Sequence, residues 1–345
     1  MTRGERIEKF SSAIQQEIVS CPNEQSWEQG QVVCWIFGCP TDIGDLLMNH
    51  NVPEELQEDV VDRLRCPRCD SPFETWQEVG TKYRFERQHD ATVEKALRKH
   101  EERLFEFNGF LHRFPLLGAT HPFGKRILRE LRKSPRITIH KPQWFRARVK
   151  KEHGFGPALP EKVADQRYNS SGQPRWYFAD NAEAAVAEVT QGDTAWVQRF
   201  DVGHLDGLLD LRSWRADDER VLDEEGDYRP PHGLLVVTLI YGDLLTQRHH
   251  GDDEDRQWKP EYLVTRFVAE AAASCGFKGI LCGCVRFPGE NLIVFDPTWC
   301  PKELGEPVPL TLDEDVMRLR KNFYINQGEA FISPDEIDEI TSPLP

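Results

Sequence analysis

One short segment brings an arginine, a tyrosine and a glutamate together at spacings that suit a site for an anionic ligand. Residues 166–189 read QRYNSSGQPRWYFADNAEAAVAEV. This pattern predicts a polar turn after Arg167, a short aromatic strand containing Tyr177, and a capped helix ending near Glu188. If the three elements fold back on one another, they form either an ordinary surface unit or a pocket. The pocket would suit an anionic substrate whose chemistry needs a carboxylate.

The helix that carries Glu188 is predicted from a cap and an apolar stripe. Asp180 is the candidate N-cap, and Glu183 reaches back to it as in a capping box. The buried stripe is expected at Ala182, Ala185, Val186 and Val189. Glu188 lies at its edge, where an unpaired carboxylate costs stability. Either an arginine pairs with Glu188 or the carboxylate serves a function, and the residues alone leave both readings open. The available arginines are Arg146, Arg148 and Arg167.

Composition limits what the whole chain can bind. It has 345 residues, of which 39% are hydrophobic and 29% charged, and a formal net charge of −15. That charge disfavours nucleic acid and anionic membranes as partners. The longest apolar run, LLVVTLIY at 234–241, is shorter than the roughly 20 residues of a membrane helix and predicts a buried strand. Because the charged N-terminus lacks the apolar core of a signal peptide, we expect a cytoplasmic protein.

The predicted secondary structure changes from mainly helical to β-rich near Pro135. Residues 1–135 are predicted to form a helix-dominated domain with a cysteine cluster. Over 136–300, β-rich runs alternate with turns and helices, which predicts an α/β or α+β domain. Residues 301–345 are predicted to be a C-terminal extension with an acidic tail. Helices are expected at 1–20, 91–108, 123–132, 181–190 and 261–276.

The cysteines of the front domain suggest a structural metal. The chain has nine cysteines, and an odd number in a cytosolic protein favours thiols or metal ligands over a disulfide framework. Cys66 and Cys69 form a CxxC knuckle, whose spacing lets two thiolates bind one tetrahedral zinc ion. Cys34 and Cys39 are the candidates for the other two ligands, with Cys21 in reserve. The alternative is a set of buried or incidental thiols.

Arg84 and His89 form an R-x4-H pattern of the kind found in HEPN ribonucleases. Such a pattern arises easily by chance in a charged helix. We therefore expect a solvated helix face here.

Several separated motifs together resemble the RES domain family. Its core pattern, R-[YW]-N-x-x-G-x-P-x-x-Y-x-A-x-x-x-x-x-A-x-A-E, is matched by RYNSSGQPRWYFADNAEAAVAE. FRAR (145–148) resembles the opening strand, and YLVTRFVAEAAASCGFKGI (262–280) resembles the helix before the last strands. CGCVRFPGENLIVF (282–295) resembles the closing segment, so the likeness spans about 160 residues. The cysteine-bearing front also resembles the HEPN/RES N-terminal domain.

This resemblance implies a fold and an activity. RES domains resemble ADP-ribosyltransferases, so the expected class is α+β: a helical N-terminal domain that carries the candidate zinc ligands, then an ADP-ribosyltransferase-like α/β domain. Characterised members consume NAD by hydrolysis or phosphorolysis, usually as bacterial toxins or in phage defence. NAD is then the substrate, and an antitoxin or regulatory protein is a partner. Alternatives are ADP-ribose transfer to a macromolecule and a degenerate NAD-binding regulatory module. The oligomeric state stays open, with a homo-oligomer among the possibilities.

The resemblance also implies roles for individual residues. Breaking the nicotinamide–ribose bond creates an oxocarbenium-like cation, which the Glu188 carboxylate would stabilise. Arg146 and Arg167 would bind the pyrophosphate, because a guanidinium matches phosphate oxygens. Tyr177 would stack on nicotinamide or ribose, and Asn291 would hydrogen-bond a ribose or the nucleophile.

The main departure from the family pattern is Cys284, which replaces the family's serine. The tyrosine and proline usual before it are Cys282 and Gly283. A thiol is a poorer hydrogen-bond donor than a hydroxyl. The change predicts reduced activity or a different acceptor, and a nucleophilic Cys284 is a less favoured alternative because no partnered histidine is evident.

Overall fold

Two separately packed units make up the computed structural model. It describes residues 1–28, 31–34, 37–190, 192–214, 218–246 and 259–326. One unit comprises Met1–Thr92 and Ala216–Arg229, and the other comprises Val93–Arg215 and Pro230–Pro345.

The first unit begins with a capped helix. The Thr2 hydroxyl accepts a hydrogen bond from the Glu5 amide, and the Glu5 carboxylate accepts one from the Thr2 amide, forming a capping box. β1, β5 and β4 form an antiparallel sheet, and β2 and β3 form a hairpin. The elements before residue 84 are α1 (Arg3–Gln15), β1 (Ile18–Ser20), β2 (Ser26–Glu28), β3 (Gln31–Cys34), β4 (Cys39–Asp42), α2 (Ile43–Asn49), α3 (Glu54–Val61) and β5 (Glu78–Thr81).

The remaining elements build the second unit, apart from the first turns of α4. They are α4 (Arg84–Arg113), α5 (Pro122–Leu131), β6 (Ile137–Ile139), β7 (Gln143–Arg148), β8 (Trp176–Ala179), α6 (Ala182–Val189), β9 (Thr194–Asp201), β10 (Leu205–Leu211), α7 (Leu234–Tyr241), α8 (Asp243–Thr246), α9 (Leu263–Ser274), β11 (Gly279–Gly283), β12 (Glu290–Val294), β13 (Lys302–Thr311) and α10 (Glu314–Asn326). The expected α+β class is confirmed.

An eight-stranded mixed sheet organises the second unit, in the order β13-β9-β7-β8-β12-β11-β10-β6. β10 and β11 pair in parallel, and the other neighbours are antiparallel. β13 lies at one edge, so the sheet includes residues beyond 300, the end of the predicted catalytic segment. The acidic stretch at 332–345 lies outside the described residues.

The sheet opens between β7 and β8. These strands share a single register pair, Phe145 with Ala179. On its other side β7 pairs with β9 along its whole length, from Gln143 to Arg148. The backbone of β7 therefore leaves β8 after Phe145, and this leaves room for side chains between the two strands.

Apolar clusters hold the second unit together. Trp144, Trp176, Phe178 and Phe200 belong to one of them, with Trp176 and Phe178 stacked at 5.3 Å. A second cluster joins α6 and α10 to the sheet through Ala185, Ala187, Val197, Val316 and Leu319. Burying aromatic and branched side chains on the sheet contributes about 1.5–3 kcal/mol for each large one.

Three predictions for this unit were wrong. The buried residues of α6 are Ala184, Ala185, Val186 and Ala187, whereas Val189, expected in the buried stripe, is exposed and Ala182 is half-buried. Leu234–Tyr241 is the helix α7, with 235–240 buried, and not a strand. A continuous apolar run has no period, so it fits a fully buried helix as well as a buried strand. The N-cap of α6 is Asn181, whose Oδ1 accepts from the Ala184 amide at 2.7 Å, because Asp180 Oδ1 accepts instead from the Glu290 amide. None of the helices that the structure describes is long and apolar enough to cross a membrane.

Candidate functional site

A cavity of about 390 Å³ opens in the second unit beside the separation of β7 and β8. Its volume falls within the range of small-molecule sites. The predicted residues Arg146, Arg167, Tyr177, Glu188 and Asn291 all line it. The segment that suggested a pocket from local signals does form one.

Glu188, near the end of α6, is held by two side chains that come from far along the chain. Asn291 on β12 donates a hydrogen bond from Nδ2 to Glu188 Oε1 at 2.8 Å. The Cys284 thiol donates to the same oxygen, with Sγ at 3.0 Å. Among the described residues, no arginine or lysine forms an ion pair with Glu188. The ion-pair reading of this glutamate is therefore not what the structure shows.

Cys284 acts as a hydrogen-bond donor in this geometry. Its side chain is buried, and burial together with the Glu188 carboxylate raises the pKa of the Cys284 thiol well above its ordinary value. A thiol with a raised pKa stays protonated at neutral pH and is a poor nucleophile. The contact with Glu188 is thus one that a serine hydroxyl in the same place would also make.

Arg146 bridges the opening in the sheet. Its side chain leaves β7, donates from Nη1 to the Tyr177 carbonyl of β8 at 3.3 Å, and lies 5.4 Å from the centre of the Trp176 ring. The residue is only 6% exposed, and burial lowers the pKa of Arg146 to about 9. Among the described residues, its Nε has no hydrogen-bond partner and no carboxylate forms an ion pair with it. A buried cation without a counter-charge is costly, which indicates a site for an anionic ligand.

Arg167 reaches the cavity from the turn before β8. Its Nη1 donates to the Leu245 carbonyl, and its guanidinium lies 4.9 Å from the centre of the Tyr262 ring. This stacking holds the planar group in one orientation, which favours bidentate recognition of an oxyanion.

Tyr177 is fixed by the loop that carries Arg167. The Tyr177 hydroxyl donates to Asn169 Oδ1 at 2.6 Å, and the Asn169 amide donates in turn to the Ala164 and Ser170 carbonyls at 3.2 Å. Burial raises the pKa of Tyr177 far above its ordinary value, so the ring carries a neutral hydroxyl. Its position is set before any ligand arrives.

The charge of the cavity is opposite to that of the whole chain. Seven of its described lining residues are cationic and one is acidic, Glu188, although the chain has a net charge of −15. The cationic side chains are Arg146, Arg148, Lys162, Arg167, Arg175, Lys259 and Arg286. Arg148 (Nε) and Arg175 (Nη1), like Arg146, carry buried N–H groups that find no partner in the part of the chain that the structure describes. Such donors fit a ligand that carries several negative charges.

Sequence reasoning missed two ion pairs that support the site, one fully buried and one in which only the arginine is buried. Asp165 pairs with Arg266 of α9 and also accepts hydrogen bonds from the Ser171 amide and hydroxyl, at 2.8 and 3.1 Å. Arg175 pairs with Glu270 of α9 at 2.6 Å. The partners lie about 100 residues apart in sequence, so no local pattern could have shown them.

Cys282 and Gly283 also line the cavity. Burial raises the pKa of Cys282 to about 12, so this thiol too stays protonated. A Cβ added at Gly283 would meet no atom within 4 Å. The cavity therefore has free space where the family pattern has proline.

Three cysteines of the first unit lie close together. The Sγ atoms of Cys21, Cys66 and Cys69 are all within 4.8 Å of one another. Cys39, which was expected to be a ligand, is exposed and lies outside this group, while the reserve candidate Cys21 belongs to it. The side chain of Cys34 lies outside the described part of the chain. The structure thus gives a three-thiol arrangement different from the expected set.

The R-x4-H pair lies at the start of α4. Arg84, with 73% of its side chain exposed, forms an ion pair with Asp227 at 3.1 Å. His89 packs edge-on against Tyr228, with ring centres 5.2 Å apart. These contacts belong to the first unit.

Comparison with known proteins places the second unit in a family. No curated protein sequence matches the chain. A chain in the crystal structure of the M. tuberculosis MbcT–MbcA toxin–antitoxin complex is similar at 14% identity and a TM-score of 0.33, over 58% of this chain and 97% of that chain. The family model described as the RES domain matches residues 135–313. The protein is therefore a member of the RES domain family.

Proposed function

We propose that this protein cleaves the nicotinamide–ribose bond of NAD⁺. The observation that carries the proposal is Glu188, a carboxylate oriented by Asn291 and Cys284 in a cavity whose other charged lining residues are cationic. The identity of the substrate, NAD⁺, is inferred from the resemblance to the RES family. The cationic lining of the cavity supports this inference.

The proposed reaction needs a carboxylate close to the ribose, where positive charge develops. As nicotinamide leaves, positive charge develops on the ribose carbon and ring oxygen. A carboxylate without a paired cation stabilises that charge more in the transition state than in the ground state. The bonds from Asn291 and Cys284 both go to Oε1, so Oε2 of Glu188 is the oxygen left to face the ribose.

The cationic walls suit the pyrophosphate. It carries two negative charges, and Arg146, Arg148 and Arg175 present buried N–H groups that lack partners among the described residues. Arginine binds phosphate oxygens through its planar fork. The desolvation cost of Arg146 in the free protein would be recovered when the diphosphate binds.

The acceptor is water or inorganic phosphate. Attack by water yields ADP-ribose, nicotinamide and a proton. Attack by phosphate yields ADP-ribose 1″-phosphate and nicotinamide. Both reactions break the same C–N bond and need no redox partner. Loss of cellular NAD would make the protein a toxin, and we propose, from the family resemblance, that an antitoxin restrains it.

Product analysis tests the proposal. The full chain is incubated with NAD⁺, with and without phosphate, and the products are identified by mass spectrometry. Nicotinamide with ADP-ribose, or with its 1″-phosphate, is the expected result. Labelled NAD⁺ that marks a protein or nucleic acid would instead indicate an ADP-ribosyltransferase. Tight NAD⁺ binding without turnover, unchanged in Cys284→Ser, would indicate a binding module.

Expression in a bacterial host tests the toxin role separately. The wild-type chain should arrest growth and deplete NAD, whereas Glu188→Gln at equal abundance should do neither. Growth arrest by Glu188→Gln as well would contradict a toxin that acts through NAD cleavage.

A further inference from the structure

We propose that Cys21, Cys66 and Cys69 bind one zinc ion in the first unit. This site is separate from the cavity of the second unit and does not depend on the proposed NAD chemistry. The proposal rests on the distances between the thiols, the turn that presents two of them, and their burial.

The distances suit one tetrahedral ion. Zn–S bonds of about 2.3 Å at tetrahedral angles place the sulfurs of one site about 3.8 Å apart. In this structure Cys21 Sγ and Cys69 Sγ are 3.4 Å apart, and all three sulfurs lie within 4.8 Å of one another. The three thiols therefore converge on one point without a covalent bond between them.

A tight turn presents Cys66 and Cys69. The Cys66 amide donates to the Ser71 carbonyl and the Asp70 amide donates to the Cys66 carbonyl, both at 2.9 Å. Asp70 has a φ of +58°, in the left-handed region that few residues other than glycine adopt. A bridge between Arg65 and Pro72 closes the turn. A reversed turn of this kind lets both thiols of a CxxC pair face one ion.

Cys21 brings the third ligand from a distant part of the chain. It follows β1 and is fully buried, and Cys66 is 2% exposed, whereas Cys69 is exposed. Cys21 and Cys66 both belong to the hydrophobic core of the first unit. An ion held here would join the end of β1 to the turn at 66–70 and remain reachable from solvent beside Cys69.

The donor set selects the metal. Three thiolates are soft ligands, which favour zinc over magnesium or calcium. They fill three positions of a tetrahedral site, and water or another donor completes the fourth. Binding such an ion stabilises the folded unit, because the thiols are not held together in the unfolded chain.

Metal analysis of matched variants tests the site. The full-length protein, purified without chelator, should contain about one zinc ion per chain. Cys21→Ser, Cys66→Ser and Cys69→Ser should each lower the zinc content at least about fivefold. Cys39→Ser is the matched control, because Cys39 is in the same unit but outside the cluster, and it should retain the zinc.

Measurements on the unmodified chain keep the test valid if the variants fail to fold. Cobalt substituted for zinc should give thiolate-to-cobalt charge-transfer absorption and the visible bands of a tetrahedral site. A mercurial reagent should release the zinc as it modifies these three cysteines, identified by peptide mapping. A folded chain without zinc that binds no cobalt would overturn the proposal, as would a native Cys21–Cys69 disulfide.

Discussion

Asn291 on β12 donates a 2.8 Å hydrogen bond to the carboxylate of Glu188 on α6. The two residues are 103 positions apart in the chain. The partner of Glu188 is therefore a neutral amide, whereas the sequence suggested one of three arginines as an ion-pair partner. A carboxylate held by neutral donors can still act on positive charge in a ligand.

Replacing the carboxylate should remove the activity and leave the fold intact. Glu188→Gln keeps the shape of the side chain but loses its charge, so NAD⁺ cleavage should fall by about 100-fold or more. Nicotinamide release measures the effect, and circular dichroism checks the fold. Glu183→Gln on the same helix is the matched control, because Glu183 does not line the cavity. Equal losses in both variants would contradict a specific role for Glu188.

Cys284 variants separate a hydrogen-bond donor from a nucleophile. Cys284→Ser keeps a donor to Glu188 and should retain activity within about threefold, or raise it. Cys284→Ala removes one hydrogen bond and should lower kcat about five- to tenfold, equivalent to roughly 1 kcal/mol. Cys300→Ser, at an exposed cysteine, serves as the control. A loss of 1,000-fold or more in both Cys284 variants, in the range that removal of a catalytic nucleophile produces, would indicate that the thiol reacts.

Replacing Arg146 should raise the stability of the free protein and weaken ligand binding. Arg146→Met removes a buried cation that has no described counter-charge, so the free protein should become more stable, by about 1 kcal/mol or more. The same change should weaken NAD⁺ binding at least about tenfold, since charged hydrogen bonds contribute about 1.5–3 kcal/mol. Denaturant unfolding and calorimetric titration measure the two effects. Arg199→Met, at an exposed position of β9, should change neither.

The pair of Asp165 and Arg266 should hold the loop that carries Arg167. Asp165→Ala removes one partner of the buried Asp165–Arg266 ion pair and should destabilise the fold by about 3–5 kcal/mol. The double variant Asp165→Ala/Arg266→Met should recover much of that loss, and denaturant unfolding checks both. Asp206→Ala breaks an exposed pair with Lys278 and should cost less than about 1 kcal/mol. Equal stability of the single and double variants would contradict the coupling.

Acidification should destabilise the second unit through His100. The imidazole is buried on α4, and burial together with Arg126, Lys99 and Arg103 lowers its pKa to about 4, against the weaker opposite effect of Glu130. In the unfolded chain the ordinary value is about 6.5. At pH values between these two pKa values, the unfolded chain binds more protons at His100 than the folded chain does. The free energy of unfolding therefore falls as the pH falls.

The expected loss from this histidine is about 2 kcal/mol between pH 7 and pH 5. Denaturant unfolding at several pH values measures it. His100→Gln, which does not titrate and still offers an acceptor to Arg126, should flatten the pH dependence. His112→Gln, at an exposed position of the same helix, should not. An unchanged slope in His100→Gln would rule out His100 as the source.

Local patterns predicted most of the segment at 166–189 correctly. The turn, the strand and the helix follow from nearby residues, and Arg167, Tyr177 and Glu188 all line one cavity. The prediction failed where two local choices were nearly equal. Asp180 and Asn181 are both good caps, and the competing hydrogen bond from the Glu290 amide to Asp180 decided between them.

The cysteines also show that local sequence patterns do not predict contacts between distant residues. The CxxC spacing identified Cys66 and Cys69 because those two thiols are presented by a single turn. The third member of the cluster is Cys21 and not Cys39, although Cys39 is nearer to that turn in sequence. The fold of the first unit, in which Cys21 follows a strand of the small sheet, decides which distant thiol reaches the turn.

By itself the sequence determined the residue types of the site, the family to which the chain belongs and the elements with a clear period. Tertiary structure decided which side chains meet. β12 pairs with β8 and brings Asn291 toward Glu188. Arg146 is buried where β7 separates from β8, and no described carboxylate pairs with it. The physical reason is that periodicity and capping act over a few residues, whereas the partners of a buried charge come from strands and helices about 100 residues away.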